Sequence, residues 1–485
     1  MNQSLTLPMA DKFYHDKQTS AFIRSVNVSW EKPEKDHYYL EYSYNQKDWY
    51  ALNGGFPIVL PCDELSVTDA LKTQDPNGET ISVAALSSLQ NKYGKPEPVC
   101  IQSVERCESD PETVQVTYTN GMKEIRNIIR SEDGIGHIQD NDYAAPIISH
   151  RADPYIYKHT DGKYYFLGSH TDAGHNLNGT YQYLYIILRC ADTLEDLTDN
   201  SGRYTEKVIY EREPIGPDRV SPHLWAPEIH YIQGGWYVYY TTTVSDHSSW
   251  RIRPHCLACT GDDPMNDPWI TKGPIQTTVE NDIAFTDFSL DHTFFHHKGE
   301  DYFVWAQKTN NISDIFIAKL SNPWTICTPS VLLTHPEYNW ELHGFAVNEG
   351  PAVIKHGGRI FLTFSASGTD ALYNMGLLYA DEDSDLLDSS SWTKLPYPVF
   401  QSSRATGFFG PGHNSFTRST DDTEDLMVYH EERYLGEGDY QPLYDAGRNA
   451  YIGKVFWDED GMPNFSVPGA SLAMRKEDLT LPDHW

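Results

Sequence analysis

The stretch HRADPYIYKHTDGKYYFLGSH, from His150 to His170, has the pattern of a β-hairpin that starts with an acidic residue. Asp153 stands before a strand-like run, Asp161 and Gly162 mark a turn, and a second run rich in Tyr and Phe follows. Aromatic and β-branched runs on both sides of a Gly-bearing turn are typical of paired antiparallel strands. The stretch therefore predicts a hairpin whose first strand begins with an ionisable side chain.

The same pattern returns four times, in stretches that begin at Ala226, Ser289, Asn348 and Pro411. Each copy carries one ionisable residue near its first strand, and these residues recur at intervals of 58 to 75 residues: Asp153, Glu228, Asp291, Glu349 and His413. A propeller blade of four strands takes about 40 to 50 residues, so the intervals fit blades with long loops. The repeat predicts a five-bladed β-propeller in which these five side chains converge on the central channel.

The chain has 485 residues, more than one hydrophobic core usually serves, which predicts two domains. The first 140 residues lack the repeat, although SVNVSWEKPEKDHYYLEYSYNQKDWYAL and ETVQVTYTNGMKEIRNI alternate like paired strands. We therefore predict an all-β protein, with a β-rich, sandwich-like accessory domain in residues 1–140 and the propeller in residues 141–485.

The formal net charge of −32 excludes most nucleic-acid-binding functions, since phosphate recognition needs a basic face. The same charge argues against binding to anionic membrane surfaces. A small neutral substrate is expected.

The N-terminal residues show no basic stretch followed by an apolar segment, and no run of 18 apolar residues occurs in the chain. Seven cysteines without dense spacing do not indicate a disulfide framework. These features predict a cytoplasmic protein.

Cys256 and Cys259 form a C-x-x-C pair, for which a structural role is favoured because no second pair of zinc ligands is evident.

Six motifs in a fixed order resemble glycoside hydrolase family 43, and their combination is similar to its α-L-arabinofuranosidase members: ADPYI, HLWAPEIHY, DFSLDHTFF, VNEGPAV, SASGTDALYNMG and GPGHNSF. The resemblance runs from about Ala144 to the C-terminus. It implies that Asp153 is the general base and Glu349 the general acid. It also implies that Asp291 orients the acid and adjusts its pKa, with Asp287 as the rival for that role.

The resemblance further implies a metal ion, often calcium, on the propeller axis at His413, and no organic cofactor. It implies that Arg448 contacts the sugar, although Asn449 stands where relatives more often have histidine. His292 also departs from the family, which more often has a small residue there, and could narrow the pocket.

Four more residues in the same motifs are predicted sugar contacts: His223, Trp225, Glu228 and Asn348. Trp225 is suited to stacking on the apolar face of a sugar ring. Glu228 either accepts a hydrogen bond from a sugar hydroxyl or pairs with a basic side chain, because buried acids are normally paired; we favour binding.

Hydrolysis with inversion needs a carboxylic acid for the leaving oxygen and a carboxylate for the attacking water, about 6.5 to 9.5 Å apart. Glu349 must then be protonated near neutral pH, and Asp291 is the expected source of the charge that raises its pKa. The expected activity is an inverting, exo-acting α-L-arabinofuranosidase that releases terminal arabinofuranose from arabinan- or arabinoxylan-derived oligosaccharides. A β-xylosidase or endo-arabinanase, and a sugar-binding propeller without activity, stay open at this point.

Overall fold

The computed structural model describes most of residues 99–468 and, before them, only short strands between residues 6 and 66. Between residues 99 and 468 the description omits residues 100, 131–135, 139–146, 178–179, 217–218, 246, 310–311, 343, 371, 396, 403–407, 433–442 and 444–446. The described residues contain strands and three short 3₁₀ helices but no α-helix, which confirms the all-β class. The 3₁₀ helices are Glu195–Leu197, Asn339–Glu341 and Ser389–Ser391. Nothing in these ranges is a helix long and apolar enough to cross a membrane.

The residues described before position 67 form seven short strands: β1 (Thr6–Pro8), β2 (Phe13–Asp16), β3 (Ala21–Asn27), β4 (His37–Ser43), β5 (Tyr50–Leu52), β6 (Ile58–Val59) and β7 (Glu64–Ser66). Strands β2 to β5 form one antiparallel sheet, to which β6 adds beside β4, and β1 pairs with β7. Most of the predicted sandwich-like domain, and its boundary between residues 140 and 141, lie outside the described residues.

A separate antiparallel sheet follows, with the strand order β11-β10-β9-β8. Its strands are β8 (Ile101–Arg106), β9 (Thr113–Tyr118), β10 (Lys123–Arg130) and β11 (Gly136–Ile138). Strand β9 alternates half-buried and buried residues, as expected for a sheet with one face on a core.

Five sheets of three or more strands succeed one another in the described part of residues 151 to 454. The first sheet contains β12 (Arg151–Lys158), β13 (Tyr164–Leu177), β14 (Thr180–Tyr183), β15 (Tyr185–Ala191) and β16 (Thr205–Glu211), and a hairpin of β17 (Pro214–Gly216) and β18 (Arg219–Val220) follows it. The second contains β19 (Leu224–Ile232), β20 (Gly235–Thr243), β21 (Ile252–Cys259) and β22 (Trp269–Pro274).

The third sheet contains β23 (Gln276–Thr277), β24 (Ser289–His297), β25 (Glu300–Thr309), β26 (Ile312–Asn322), β27 (Thr325–Ile326) and β28 (Val331–Thr334). The fourth contains β29 (Asn348–His356), β30 (Arg359–Ala366), β31 (Asn374–Asp381) and β32 (Thr393–Lys394). The fifth contains β33 (Phe409–Arg418), β34 (Asp425–Glu432) and β35 (Asn449–Lys454), and the hairpin β36 (Phe456–Trp457) and β37 (Pro463–Asn464) ends the described fold.

The leading long strands of the five sheets are β12, β19, β24, β29 and β33, and each contacts the leading strand of the next sheet. The last of them, β33, contacts the first, β12. A buried apolar cluster lies between each pair of neighbouring sheets. The cluster between the fifth and first sheets joins Ile156 and Phe166 to Val428 and Ile452. The contacts between sheets therefore return to their starting point.

Each leading strand is interrupted by a β-bulge. At each bulge one residue has a positive φ: Asp153 (51°), Ala226 (44°), Asp291 (39°), Gly350 (54°) and His413 (44°). Four of these residues are not glycine, and a left-handed conformation costs such residues of order 1–3 kcal/mol unless the surroundings hold it. Four non-glycine residues with a strained backbone conformation thus lie where the five leading strands meet.

The sheet β8–β11 packs on the end of the fifth sheet through apolar and charged contacts. Val114, Val116 and Tyr118 share a buried cluster with Phe456. Arg126 forms an ion pair with the fully buried Glu424. The Lys454 ammonium lies 3.0 Å from Glu424 and 2.6 Å from Glu124. This buried charge network attaches residues 101–130 to the strands that follow residue 424.

Arg126→Ala should lower the free energy of unfolding by about 3 kcal/mol, because removing one partner leaves buried carboxylates under-compensated. This expected loss lies at the low end of the range usual for breaking a buried ion pair, because Lys454 still faces Glu424 in the variant. Urea denaturation followed by tryptophan fluorescence measures the change. Arg130→Ala is the matched control, since Arg130 and Glu112 form an exposed pair at 3.7 Å that should contribute less than about 1 kcal/mol. Equal effects of the two variants would contradict a stabilising role for the buried network.

Candidate active site

An open pocket with a volume of about 380 Å³ lies where the bulged ends of the leading strands meet. It is lined by Asp153, Tyr183, Trp225, Leu290, Asp291, Glu349, Thr369, Tyr373, His413, Leu443 and Arg448. The pocket brings together the three carboxylates predicted from the sequence. Three of the other predicted site residues also line it, namely Trp225, His413 and Arg448.

The bulges change the alignment of the repeat that the sequence suggested. Asp153, Asp291 and His413 are themselves the left-handed residues, but in the second and fourth sheets Ala226 and Gly350 take that place. Glu349 therefore stands one residue before its bulge position, and Glu228 stands two residues after. The sequence alignment of ionisable residues treated all five as equivalent, and the backbone register shows that only three of them are.

Backbone amides at the bulges donate to side chains of the neighbouring sheet. The Ala226 amide donates to Ser169 Oγ of the first sheet at 2.8 Å, and the His413 amide donates to Ser365 Oγ of the fourth sheet at 2.7 Å. Since a bulge removes an amide from the strand ladder, a side-chain acceptor restores the lost hydrogen bond. The bulge conformation is thereby fixed from outside its own sheet.

Asp153 is held by hydrogen bonds at its backbone and at its carboxylate. Its amide lies 3.0 Å from His430 Nδ1, and Ser169 Oγ donates to Oδ2 at 2.5 Å. Burial opposes ionisation, but His413, Arg448 and His430 around the carboxylate lower the pKa of Asp153 to about 2. Asp153 is therefore a carboxylate throughout the neutral range, as a general base requires.

Asp291 lies between His413 and the backbone beside Glu349. Its Oδ2 accepts a hydrogen bond from the Gly350 amide at 3.2 Å and lies 3.7 Å from His413 Nδ1. Burial, followed by the charges of Glu349 and Asp153, raises the pKa of Asp291 well above its usual value. The hydrogen bond fixes the residue next to Glu349, so Asp291 positions the segment that carries the second carboxyl group.

Glu349 accepts a hydrogen bond from the Tyr373 hydroxyl at 2.9 Å. Burial is the largest cause of a raised pKa at Glu349, about 7, and Asp153 adds a smaller contribution of the same sign. The hydrogen bond from Tyr373 and the charge of Lys308 act in the opposite direction. The sequence led us to expect that Asp291 supplies the perturbing charge, whereas desolvation is the dominant cause in the structure.

The described residues that line the pocket do not include three of the predicted sugar contacts, His223, Glu228 and Asn348. The His223 ring lies behind Trp225, with 4.1 Å between the ring centroids. Glu228 is buried against His230, at 2.9 Å between Oε2 and Nε2, and burial raises its pKa well above the usual value. The pairing of Glu228 with an imidazole matches the structural alternative left open by the sequence.

Asn348 is fully buried and bound on both ends of its amide group. Thr334 Oγ1 donates to Asn348 Oδ1 at 2.9 Å, and Asn348 Nδ2 donates to Glu341 Oε1 at 2.9 Å. The pocket is formed without its side chain. Asn348 instead anchors the start of β29, next to Glu349.

Other sequence candidates also lie away from the pocket. Asp287 is exposed and accepts a hydrogen bond from the Phe288 amide at 2.7 Å, so the geometry favours Asp291 over this rival. His292 is buried and stacks on Phe303, with 5.7 Å between ring centroids, so it does not narrow the pocket. The C-x-x-C pair lies on β21, where burial raises the pKa of the Cys256 thiol, in keeping with a structural role.

Four residues around the carboxylates escaped the sequence reasoning: Ser169, Tyr183, Tyr373 and His430. A signal for two of them exists in the hairpin pairing. Ser169 pairs with Ala152 and His430 pairs with Gly412, each next to a bulge residue. A polar residue opposite a bulge is therefore a candidate support for the site. Tyr373 lies in the SASGTDALYNMG motif, but its role depends on a contact with another strand.

The prediction of calcium at His413 can be compared with the donor atoms around it. His413 Nδ1 lies 3.3 Å from Asp153 Oδ1 and 3.7 Å from Asp291 Oδ2. The part of the chain that the structure describes contains no group of three or more His, Cys, Asp or Glu residues arranged to hold a metal ion. These protein ligands alone do not fit a calcium site, which normally takes six to eight oxygen ligands, and no catalytic step is assigned to a metal.

Residues 143–463 match the family model described as Glycosyl hydrolases family 43. The chain is 42% identical over 353 residues to a Streptomyces avermitilis protein named extracellular exo-alpha-(1->5)-L-arabinofuranosidase, with 71% of this chain and 68% of that protein covered. It is 44% identical over 331 residues to alpha-L-arabinofuranosidase 43 of Humicola insolens, which covers 67% of this chain and 63% of the relative.

The structure is similar to a crystal structure of an alpha-L-arabinofuranosidase from Lactobacillus brevis. The two share 42% sequence identity with a TM-score of 0.60, and the match covers 70% of this chain and 98% of the other. These matches confirm the glycoside hydrolase class and leave the alternative of a sugar-binding propeller without activity unsupported.

The predicted cytoplasmic location is wrong by the same comparison, because the Streptomyces avermitilis relative is named an extracellular enzyme. The prediction used the first residues of the sequence. These do not decide the location, since an export leader is cleaved from the mature chain. The family prediction, in contrast, rested on motifs that line or support the pocket, and it is confirmed: the chain belongs to glycoside hydrolase family 43.

Proposed function

We propose that this protein is an inverting, exo-acting α-L-arabinofuranosidase. The observation that carries the proposal is one pocket in which Asp153 has a pKa of about 2 and Glu349 a pKa of about 7. Near pH 6 the first is a carboxylate and the second is mostly a carboxylic acid. Hydrolysis with inversion needs this combination of a base for water and an acid for the leaving oxygen.

Glu349 donates its proton to the glycosidic oxygen while Asp153 accepts a proton from the attacking water. Arg448, whose Nη1 lies 3.9 Å from Asp153 Oδ1, keeps the base ionised. Asp291 holds the Gly350 amide and with it the backbone that carries the acid. Trp225 presents an aromatic ring to the pocket, which suits the apolar face of a sugar. Each of these five residues then has one task in a single-displacement reaction.

The arabinofuranose assignment is supported by the names of the relatives from Streptomyces avermitilis, Humicola insolens and Lactobacillus brevis. The proposed substrates are small neutral oligosaccharides derived from arabinan or arabinoxylan. A net charge of −32 is compatible with such uncharged substrates.

We also infer that the five sheets are the blades of a β-propeller. The cyclic contacts of the leading strands and the apolar cluster between the fifth and first sheets support this arrangement. The catalytic unit then begins near residue 141, and the preceding residues form an accessory β region. The sheet β8–β11 would belong to that region and is packed against the fifth blade.

The sugar first released from an arabino-oligosaccharide should have the inverted anomeric configuration, because no covalent glycosyl-enzyme intermediate forms. Proton NMR during the first minutes of hydrolysis reads both the configuration and the identity of the sugar. Initial retention of configuration would exclude single displacement. Release of xylose from xylo-oligosaccharides without release of arabinose would favour a β-xylosidase instead.

Glu349→Gln should lose roughly 10² to 10⁴ in kcat on arabino-oligosaccharides, the usual contribution of general acid–base catalysis. Its loss on 4-nitrophenyl α-L-arabinofuranoside should be distinctly smaller, because nitrophenolate leaves without a proton. Asp153→Asn should lose activity severely on both substrates, since water must be activated for each. The measurement is kcat for both variants at the pH optimum of the wild type, after circular dichroism confirms folding. Equal losses of Glu349→Gln on both substrates would assign the acid to another residue.

The pH dependence follows from the protonation states of the acid and the base. Activity should fall as pH rises through about 7, where Glu349 loses its proton. Tyr373→Phe removes a hydrogen bond that favours the ionised form of Glu349, so this pKa should rise and the alkaline limb of kcat/KM should move up by roughly one to two pH units. Tyr164→Phe is the matched control. It also removes one buried tyrosine hydroxyl that donates a hydrogen bond, in this case to the Arg418 carbonyl at 2.9 Å. An alkaline limb that is unchanged, or that moves down, would contradict the role given to Tyr373.

A further inference from the structure

Aromatic side chains continue from the pocket out to the protein surface. Trp225 lines the pocket and is 6% exposed, whereas Trp250 is 47% and Phe345 is 63% exposed. The core residues Trp305 and Trp340, in contrast, are 0% exposed. Single exposed apolar residues are common on soluble proteins, but a connected group next to a binding pocket often marks a binding surface.

The contacts between these rings are continuous. The ring centroids of Trp225 and Trp250 are 6.0 Å apart, and those of Trp250 and Phe288 are 6.4 Å apart with 30° between the ring planes. Lys308 Nζ lies 4.3 Å from the centroid of Phe288 and 5.9 Å from that of Phe345. Trp250, Phe288, Lys308 and Phe345 therefore form one surface, called here the mouth platform.

The strand order puts the platform beside the acid. Phe288 directly precedes β24, which carries Asp291, and Phe345 stands three residues before β29, which carries Glu349. Lys308, at the end of β25, is close enough to Glu349 that its charge lowers the pKa of that carboxyl group. Asp153 lies in the first sheet instead, and Arg448 directly precedes β35 of the fifth sheet. The platform thus extends from the connection between β20 and β21 of the second sheet, which carries Trp250, to the segments of the third and fourth sheets that lie next to Glu349.

The proposed reaction predicts which part of the substrate lies on this side of the pocket. A general acid contacts the oxygen that joins the terminal sugar to the rest of the substrate. With the terminal sugar in the pocket, the remaining sugars extend outward past the acid. They then meet the exposed rings, which offer flat apolar surfaces, and a lysine, which offers three hydrogen-bond donors.

We propose that the mouth platform binds the leaving-group sugars of a neutral oligosaccharide, by stacking on Trp250, Phe288 and Phe345 and hydrogen bonding to Lys308. This inference rests on the proposed function, because it needs the terminal sugar in the pocket. It adds a preference: oligosaccharides with at least one further sugar beyond the scissile bond are better substrates than simple alkyl glycosides.

The test compares two substrates that share the terminal sugar and both need protonation by Glu349. Arabinotriose has leaving-group sugars, and methyl α-L-arabinofuranoside has none. Trp250→Ala and Phe345→Ala should each lower kcat/KM on arabinotriose about two- to twelve-fold more than on the methyl glycoside, the effect expected from losing one aromatic stacking contact. Trp250→Phe keeps a ring and should recover much of this difference.

Tyr231→Ala is the matched control, because Tyr231 is 39% exposed and lies near the far end of β19, seven residues from Leu224 at the pocket end. It should leave the ratio of the two kcat/KM values unchanged. Equal losses of the platform variants on both substrates, or no loss on either, would overturn the platform while leaving the proposed function in place. A wild-type protein that hydrolyses neither arabinoside would overturn the proposed function and the platform together.

Discussion

The hydrogen bonds that backbone amides at the bulges make to neighbouring sheets are the constraint on which the site depends. Each bulge releases an amide from its own ladder, and four of the five released amides donate to a side chain of the adjoining sheet, on Ser169, Asp291, Ser365 and His430. The same bonds stabilise residues with left-handed backbone conformations. They therefore connect the sheets and direct side chains from distant parts of the chain into one pocket.

Burial sets the electrostatics of this pocket more than any single charge does. Asp153, Asp291 and Glu349 all lose solvation, which favours protonation in each of them. Only Asp153 stays strongly ionised, because it faces Arg448 and accepts a hydrogen bond from Ser169. Three similar carboxyl groups thereby acquire different protonation states, as a reaction with one acid and one base requires.

The proposed base and the proposed acid also differ in the cationic side chain that lies near each of them. Arg448 lies beside Asp153, while Lys308 lies over Phe288 and Phe345 near Glu349. In a chain with 37 Lys and Arg against 69 Asp and Glu, one cation thus lies beside the proposed base and another near the proposed acid. In the proposed reaction, Arg448 keeps the base ionised and Lys308 belongs to the surface proposed for the departing sugars.

The sequence by itself determined the all-β class, the family and the three carboxylates, because hairpin patterns and ordered motifs are local properties of the chain. It could not determine which ionisable residues face the pocket, since a bulge shifts the register by one residue and sends Glu228 toward His230 instead. Nor could it reveal Tyr373, Ser169 or Lys308 as partners of the carboxylates. Their roles arise from contacts between different strands, and only the tertiary structure decides which side chains meet there and how much water is excluded from them.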